Sequence, residues 1–136
     1  KEMNDSIKIV AIQAQQNHLL QGLRNFEESA MPDLFKRRQE VVDHWITATN
    51  KDSFDMAREL GKRENLLVGP SSGSVMASML ETAKYLEEGI FVGLFADDGR
   101  KFKSLYVEQG IFTNTEYENL LKSARNLPRL AYQKSE

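Results

Sequence analysis

The chain has no cysteine among its 136 residues, which excludes disulfides, thiolate metal sites and cysteine nucleophiles. Histidine is nearly as scarce, and the two present, His18 and His44, are too few for a histidine-rich metal cage. An excess of charge of one sign is missing too. The 18 basic and 20 acidic residues are interspersed and sum to a net charge of -2, so no basic face is offered to nucleic acid. The longest apolar runs, such as residues 90–96, are strand-sized, which leaves nothing long enough to span a membrane. No charged, apolar and small-residue leader opens the chain. Together these absences predict a cytoplasmic protein with neither nucleic-acid nor membrane partners. The chain opens on Lys1 rather than methionine and its first apolar run follows almost at once, as though it were cut from something longer.

What is present suffices for one packed domain, with 40% of residues hydrophobic and 28% charged. Residues 7–13, Ile-Lys-Ile-Val-Ala-Ile-Gln, are rich in β-branched residues and read as a strand covered on both faces. Residues 14–39 are largely polar and irregular, with a one-turn helix expected at Met31-Pro32-Asp33-Leu34-Phe35, where proline takes an early position. A second strand is expected at 40–49, around Val41, Val42, Trp45 and Ile46. Asn50 to Ser53 offer caps for a helix whose buried stripe is Phe54, Ala57 and Leu60, with Met56 at its margin; Gly61 can stop it, or charged Lys62 to Glu64 can extend it by a turn. A third strand covers 66–69. The strongest helix starts at Ser72 or Ser74 and runs to Glu88, with Val75, Met79, Ala83 and Leu86 at helical spacing and Gly89 as its stop. A fourth strand, buried like the first, is expected at 90–96. Asp97-Asp98-Gly99 is turn chemistry, a helical segment passes through Phe102 and Leu105, and Thr113-Asn114-Thr115-Glu116 caps a last helix reaching about Asn126. Strands alternating with helices predict an α/β fold with a mostly parallel sheet flanked by helices.

The most informative stretch is Asn65-Leu66-Leu67-Val68-Gly69-Pro70-Ser71-Ser72-Gly73-Ser74. An apolar run breaks into a tight turn and then a helix N-terminus, a corner that suits a phosphate, a cofactor heteroatom or an exposed nucleophile. In an open parallel sheet, ligands sit beyond the carboxyl ends of the strands. That is where both this corner and the Asp97-Asp98-Gly99 turn are expected, lining one pocket. Gly69-Pro70-Ser71-Ser72-Gly73 formally matches a nucleophile elbow, but both histidines precede Ser71, whereas that fold places its histidine after the serine. A plainer account makes Ser71 or Ser72 a helix cap. Asp97 and Asp98 are adjacent in a turn, where side chains point apart, and fit turn formation better than a metal site. His44, beside Trp45, reads as a core or half-buried histidine, and His18 as a loop residue without a partner. Arg24, in Gly22-Leu23-Arg24-Asn25, is by default solvated, with a substrate carboxylate or phosphate as its functional alternative.

Taken in order, these segments resemble a known family. Ile7 through Gln13, Gly22-Leu23-Arg24, Met31-Pro32-Asp33-Leu34-Phe35, Val41-Val42-Asp43, Ala57-Arg58-Glu59-Leu60, Leu67-Val68-Gly69-Pro70-Ser71-Ser72-Gly73 and Asp97-Asp98-Gly99-Arg100-Lys101-Phe102 are similar to the carboxyl-terminal portion of pyridoxal-phosphate-dependent cysteine synthases. The likeness is to the B-type especially, with cystathionine β-synthase as a related enzyme. The resemblance implies the tryptophan synthase β-like, fold type II architecture, with residues 1–112 as part of the enzyme domain and 113–136 as a carboxyl-terminal helix and tail.

It implies a role for Ser71, with Gly69 beside it, in binding pyridoxal 5'-phosphate, the Ser71 hydroxyl meeting the pyridine nitrogen. A neutral hydroxyl does not hold that nitrogen protonated as a carboxylate would, which favours β-elimination over transamination. The implied reaction is a β-replacement on O-acetylserine or O-phosphoserine by a sulfur nucleophile, giving L-cysteine, with Arg24 near the substrate. The family's Schiff-base lysine and phosphate loop lie upstream of the strand matching residues 7–13 and have no counterpart here. The chain alone is therefore expected to be inert, with the amino-terminal half of the same enzyme, a second subunit and an amino-acid substrate as its partners. Ala96 departs from the proline or cysteine common at its position. The alternative from another class is a non-catalytic α/β module that binds a small anion or dimerises.

Overall fold

The computed structural model describes residues 4–124. Its sheet is a parallel pair, β1 (Val10–Ala14) and β2 (His44–Ala48), in a register that sets Val10 opposite His44 and Ala14 opposite Ala48. Between them come a one-turn helix α1 (Asp33–Lys36), which follows Pro32 as expected, and a 3-10 turn over Gln39–Val41. The β-branched runs thus form strands, but shorter ones. Asp43 ties the entry of the pair together, accepting the Ile9 amide at 2.8 Å through its carboxylate and donating its own amide to the Ile9 carbonyl at 2.9 Å.

β2 passes directly into α2 (Asn50–Glu64), capped by Thr49, whose hydroxyl accepts the Asp52 amide at 3.0 Å. The cap lies one residue before the Asn50-to-Ser53 candidates. Asn65, at φ 56°, ends the helix in the left-handed conformation. Of the two expected ends the helix takes the longer, through Lys62 to Glu64, and Gly61 is a buried helical residue facing Leu120 and Phe112.

Helix α3 (Pro70–Ala83) starts earlier than expected, with Gly69 as N-cap and Pro70 in its first turn, and ends a turn short of Glu88. It packs along α2, and a side-chain carbon on Gly73 would stand 2.1 Å from the Ser53 carbonyl oxygen. Only a residue without a side chain permits this approach. Beside it, the Ser74 hydroxyl donates to Ser53 Oγ at 2.8 Å, and Ser53 donates to the Thr49 carbonyl at 2.6 Å.

After a 3-10 turn (Gly99–Phe102) come α4 (Lys103–Glu108) and α5 (Asn114–Ser123). The latter opens on the anticipated cap: Thr113 and Glu116 form a reciprocal capping box. Its expected end at Asn126, and the tail after it, lie outside the described residues. The core is aromatic. Tyr106 is fully buried and meets Phe54, Phe102 and Phe112 at centroid distances of 6.3, 6.2 and 5.6 Å, and its hydroxyl donates to the Val68 carbonyl at 2.5 Å.

Two expected strands do not form ladders. Residues 66–69 contribute only an isolated antiparallel bridge, Val68 opposite Asp98, because the 97–99 turn folds back on them. Gly69 donates to the Asp97 carbonyl and Gly99 to the Leu67 carbonyl, both at 2.9 Å. Residues 90–96 are not buried: Ile90, Val92 and Leu94 are 96, 93 and 80% exposed. A strand covered on both faces needs neighbours on each side, and here α3 covers one face alone, with Val75 and Met79 against Gly93. His44 is likewise exposed rather than half-buried, while His18 Nδ1 accepts the Leu20 amide at 3.2 Å.

Candidate functional site

The site is built where three segments converge on the first turn of α3. The turn itself presents Ser71, which is 6% exposed, and Ser72, which is 0% exposed. Neither hydroxyl has a hydrogen-bond partner. Buried hydroxyls are rarely left so, and their neighbours show the contrast, since Ser53 and Ser74 are buried and paired. Serine at a helix start usually caps it, but here Gly69 is the N-cap and no side chain caps the helix. Capping therefore does not account for Ser71.

The second segment is the loop after β1. The Ala14 amide donates to the Arg24 carbonyl at 3.0 Å, the Asn25 side-chain amide donates to the Ala14 carbonyl at 2.8 Å, and Leu20 is fully buried. These anchors hold Gly22, at φ +97°, over α3, so that a side-chain carbon there would lie 3.4 Å from Ser71 Oγ and 3.4 Å from Asp97 Oδ2. The third segment is the 97–99 turn, drawn to the corner by the Gly69–Asp97 bond. Asp97 pairs with Lys101 at 2.6 Å and Asp98 with Arg100 at 3.0 Å. Each carboxylate turns to its own basic neighbour, as adjacent turn residues do. Among the described residues no group of three or more histidines and carboxylates is placed to hold a metal ion.

The corner and the acidic turn thus meet, but through the Gly69–Asp97 and Gly99–Leu67 backbone bonds and not at the carboxyl ends of sheet strands, while the other candidates fare differently. The Gly69 amide is committed to Asp97, so this residue shapes the corner and its N–H is not directed at a ligand. Arg24 is exposed, and its guanidinium lies 3.4 Å from the Ala30 carbonyl on its own loop. The amides of Ser72 and Gly73 both turn to the Gly69 carbonyl and Pro70 has none, which gives the helix N-terminus few donors for an anion. Gly22 and Asn25 are contributors that reading the residues did not single out for the site. The available signal was a glycine two residues after a buried leucine in a polar loop, too common a pattern to stand out. A separate groove of about 490 Å³ between α2 and α3, lined by Asp52, Asp55, Met56, Glu59, Leu80 and Glu81 among others, does not include Ser71. Its carboxylates are engaged on their own helices, Asp55 with Lys51, Glu59 with Arg63 and Glu81 with Lys84.

The Ser71 hydroxyl is thus a buried donor without a protein partner, lying under the Gly22 backbone. Residues 1–97 match the family of pyridoxal-phosphate dependent enzymes. A cysteine synthase of Aquifex aeolicus is 32% identical over 107 residues, 75% of this chain and 32% of that protein. A cystathionine beta-synthase of Dictyostelium discoideum is 40% identical over 95 residues, covering 65% of this chain and 18% of the relative. Among solved structures, the O-acetylserine dependent cystathionine beta-synthase of Helicobacter pylori superposes with a TM-score of 0.67 at 25% identity, over 76% of this chain and 36% of its own. The chain spans about a third of the length of the cysteine synthases it matches, and its α/β architecture is that of the fold type II enzymes. It belongs to the family of pyridoxal-phosphate dependent enzymes.

Proposed function

We propose that this chain contributes the ring-nitrogen side of a pyridoxal 5'-phosphate site in a cysteine synthase-like enzyme. The observation that carries the reading is the Ser71 hydroxyl, buried, unpaired and facing the Gly22 backbone. It would donate to the unprotonated pyridine nitrogen, while Gly22 and Asp97 bound the ring's edge. When bound, the cofactor supplies the electron sink for elimination and replacement at a β-carbon. Ser71 keeps that sink weak by offering a neutral hydroxyl where a carboxylate would hold a proton on the nitrogen. The reaction of the whole enzyme is then β-replacement on O-acetylserine or O-phosphoserine by a sulfur nucleophile, yielding L-cysteine. In this proposal Arg24 swings from its loop to the substrate's anionic group.

The Schiff-base lysine and the phosphate loop belong to the amino-terminal part of the enzyme, which is this chain's principal partner in a cytoplasmic dimer. By itself the chain binds the ring weakly and forms no covalent link. Amide NMR with the deoxy analogue of the cofactor, which lacks the aldehyde, tests both halves of this reading. Shifts confined to Ser71, Gly22 and Asp97, and lost in Ser71→Ala, support the site; shifts elsewhere, or none, overturn it. A stoichiometric adduct with pyridoxal phosphate that borohydride fixes to one lysine would overturn the claim that the chain is inert.

A further inference from the structure

The Ser71 corner holds a charge that the hydroxyl alone leaves unexplained. Asp97 Oδ2 and Ser71 Oγ each lie 3.4 Å from the place of a side-chain carbon on Gly22. The two oxygens therefore stand within twice that distance of each other, inside the span of about 8 Å over which charges act at physiological ionic strength. The carboxylate is brought there by its backbone: the Asp97 carbonyl accepts the Gly69 amide at 2.9 Å. A side-chain carbon on Gly69 would stand 2.9 Å from Asp97 Cβ, so a larger residue at position 69 would push the carboxylate out of the corner.

A lone carboxylate at this place works against Ser71. The hydroxyl suits an unprotonated pyridine nitrogen, whereas a nearby negative charge favours the protonated ring. Lys101 stands between these two demands. Its ammonium lies 2.6 Å from Asp97 Oδ1, the oxygen other than the one turned to Gly22. Local structure sets the pair: the 3-10 turn over Gly99–Phe102, capped by Asp98, brings residue 101 back to residue 97. The Phe102 ring, with its centroid 5.2 Å from the ammonium, steadies it there. The other charges around the corner are turned elsewhere, Asp98 to Arg100 at 3.0 Å and Arg24 to the Ala30 carbonyl, while His18 Nδ1 accepts the Leu20 amide. The first turn of α3 carries no charged residue.

We propose that the Asp97–Lys101 pair is a charge-compensating element of the Ser71 site. Lys101 offsets the field of the Asp97 carboxylate at the ring nitrogen, so that the neutral Ser71 hydroxyl decides the protonation state of that nitrogen. The inference rests on the cofactor reading. Lys101 acts only through Asp97 and is a positioning residue, not a catalytic one. Its removal would leave a negative charge beside the ring and strengthen the electron sink that Ser71 keeps weak.

The test binds the deoxy analogue of the cofactor, isotopically labelled at its ring nitrogen, and follows the nitrogen chemical shift against pH, which reports protonation directly. Wild type should show the unprotonated signal at neutral pH. Lys101→Met keeps the apolar stem and removes the charge, and should raise the nitrogen's apparent pKa by about one unit, a roughly tenfold rise in the ratio of protonated to unprotonated ring at a given pH. Asp97→Asn should leave the nitrogen unprotonated, and adding it to Lys101→Met should reverse the shift. A merely structural role for Lys101 would lower the denaturant midpoint or the affinity without moving this titration. An unmoved titration in Lys101→Met, with the analogue still perturbing the Ser71 amide, would overturn the compensation and leave the cofactor reading standing. So would a protonated ring in wild type, or a Lys101→Met shift that Asp97→Asn does not reverse. An analogue that never perturbs Ser71 in wild type would overturn the cofactor reading, and this inference with it.

Discussion

The backbone of Gly22 lies against the Ser71 hydroxyl: a side-chain carbon at position 22 would stand 3.4 Å from Ser71 Oγ and 3.5 Å from its Cβ. Two separate constraints therefore fall on one residue. At φ +97° a side chain is strained whatever the space around it, and the space itself is the ring wall of the proposed site.

Gly22→Ala should cost about 1–2 kcal/mol of stability through the backbone term. In urea, the midpoint should fall without a change in slope. The same methyl should abolish the Ser71 amide shift on addition of the cofactor analogue, even under conditions where the variant is fully folded. A variant that loses stability but retains that shift would show that residue 22 acts on the fold alone.

Behind the corner, Tyr106 holds the Val68 carbonyl from within the core. Tyr106→Phe keeps the ring contacts with Phe54, Phe102 and Phe112 and strands a buried carbonyl, at a cost of about 1–3 kcal/mol. Burial, with a smaller effect of Tyr117, also pushes the Tyr106 hydroxyl well above the ordinary tyrosine range. A raised folded-state value means that this contribution is complete below the unfolded pKa of about 10 and is lost as the pH climbs beyond it toward the folded value. Wild-type stability should therefore decline from about pH 10 upward, and Tyr106→Phe should flatten part of that decline. Tyr117, shifted in the same direction mainly by burial, keeps the rest. Denaturant midpoints recorded across the alkaline range would show both effects.

These dependencies explain what the sequence could and could not disclose. Helix signals are local: the Thr113–Glu116 box and the apolar spacing of Phe54, Ala57 and Leu60 reside within a few residues of one another, and the structure follows them. The turn at Asp97-Asp98-Gly99 and the corner at Ser71 were legible for the same reason. Strand signals are not local. Residues 90–96 have the composition of a buried strand, but burial is conferred by neighbours, and the described chain offers a cover on one face only. Gly61 shows the same dependence: locally, a stop there and one further turn to Glu64 are both readable, and Leu120 and Phe112, distant in sequence, pack on Gly61 within the longer helix. Of the candidate site, Ser71 was readable from its own motif, whereas Gly22 and Asn25 gain their roles only once β1 and its loop are folded over α3.

The acid limb of stability should depend on Glu116. Its carboxylate accepts the Thr113 amide at 2.8 Å and lies 3.3 Å from Lys62 Nζ on α2, so one side chain both caps α5 and ties it to α2. The Thr113 amide, then the Thr113 hydroxyl and then Lys62 hold it down to about 2. A folded-state value below the unfolded one, about 4.3, gives stability that is complete above that pH and is lost as the pH falls toward 2. Glu116→Gln preserves an oxygen that can accept the Thr113 amide but removes the charge. At neutral pH the variant should melt below wild type, and the two should converge between about pH 4 and 2 as the native carboxylate takes up its proton. Because the backbone bond is the largest contributor, much of the difference should persist in high salt, where an ion pair with Lys62 alone would be screened away. Thermal midpoints of both proteins against pH, at low and high salt, would separate the cap from the ion pair, and a gap that vanished with salt at neutral pH would assign the effect to Lys62 instead.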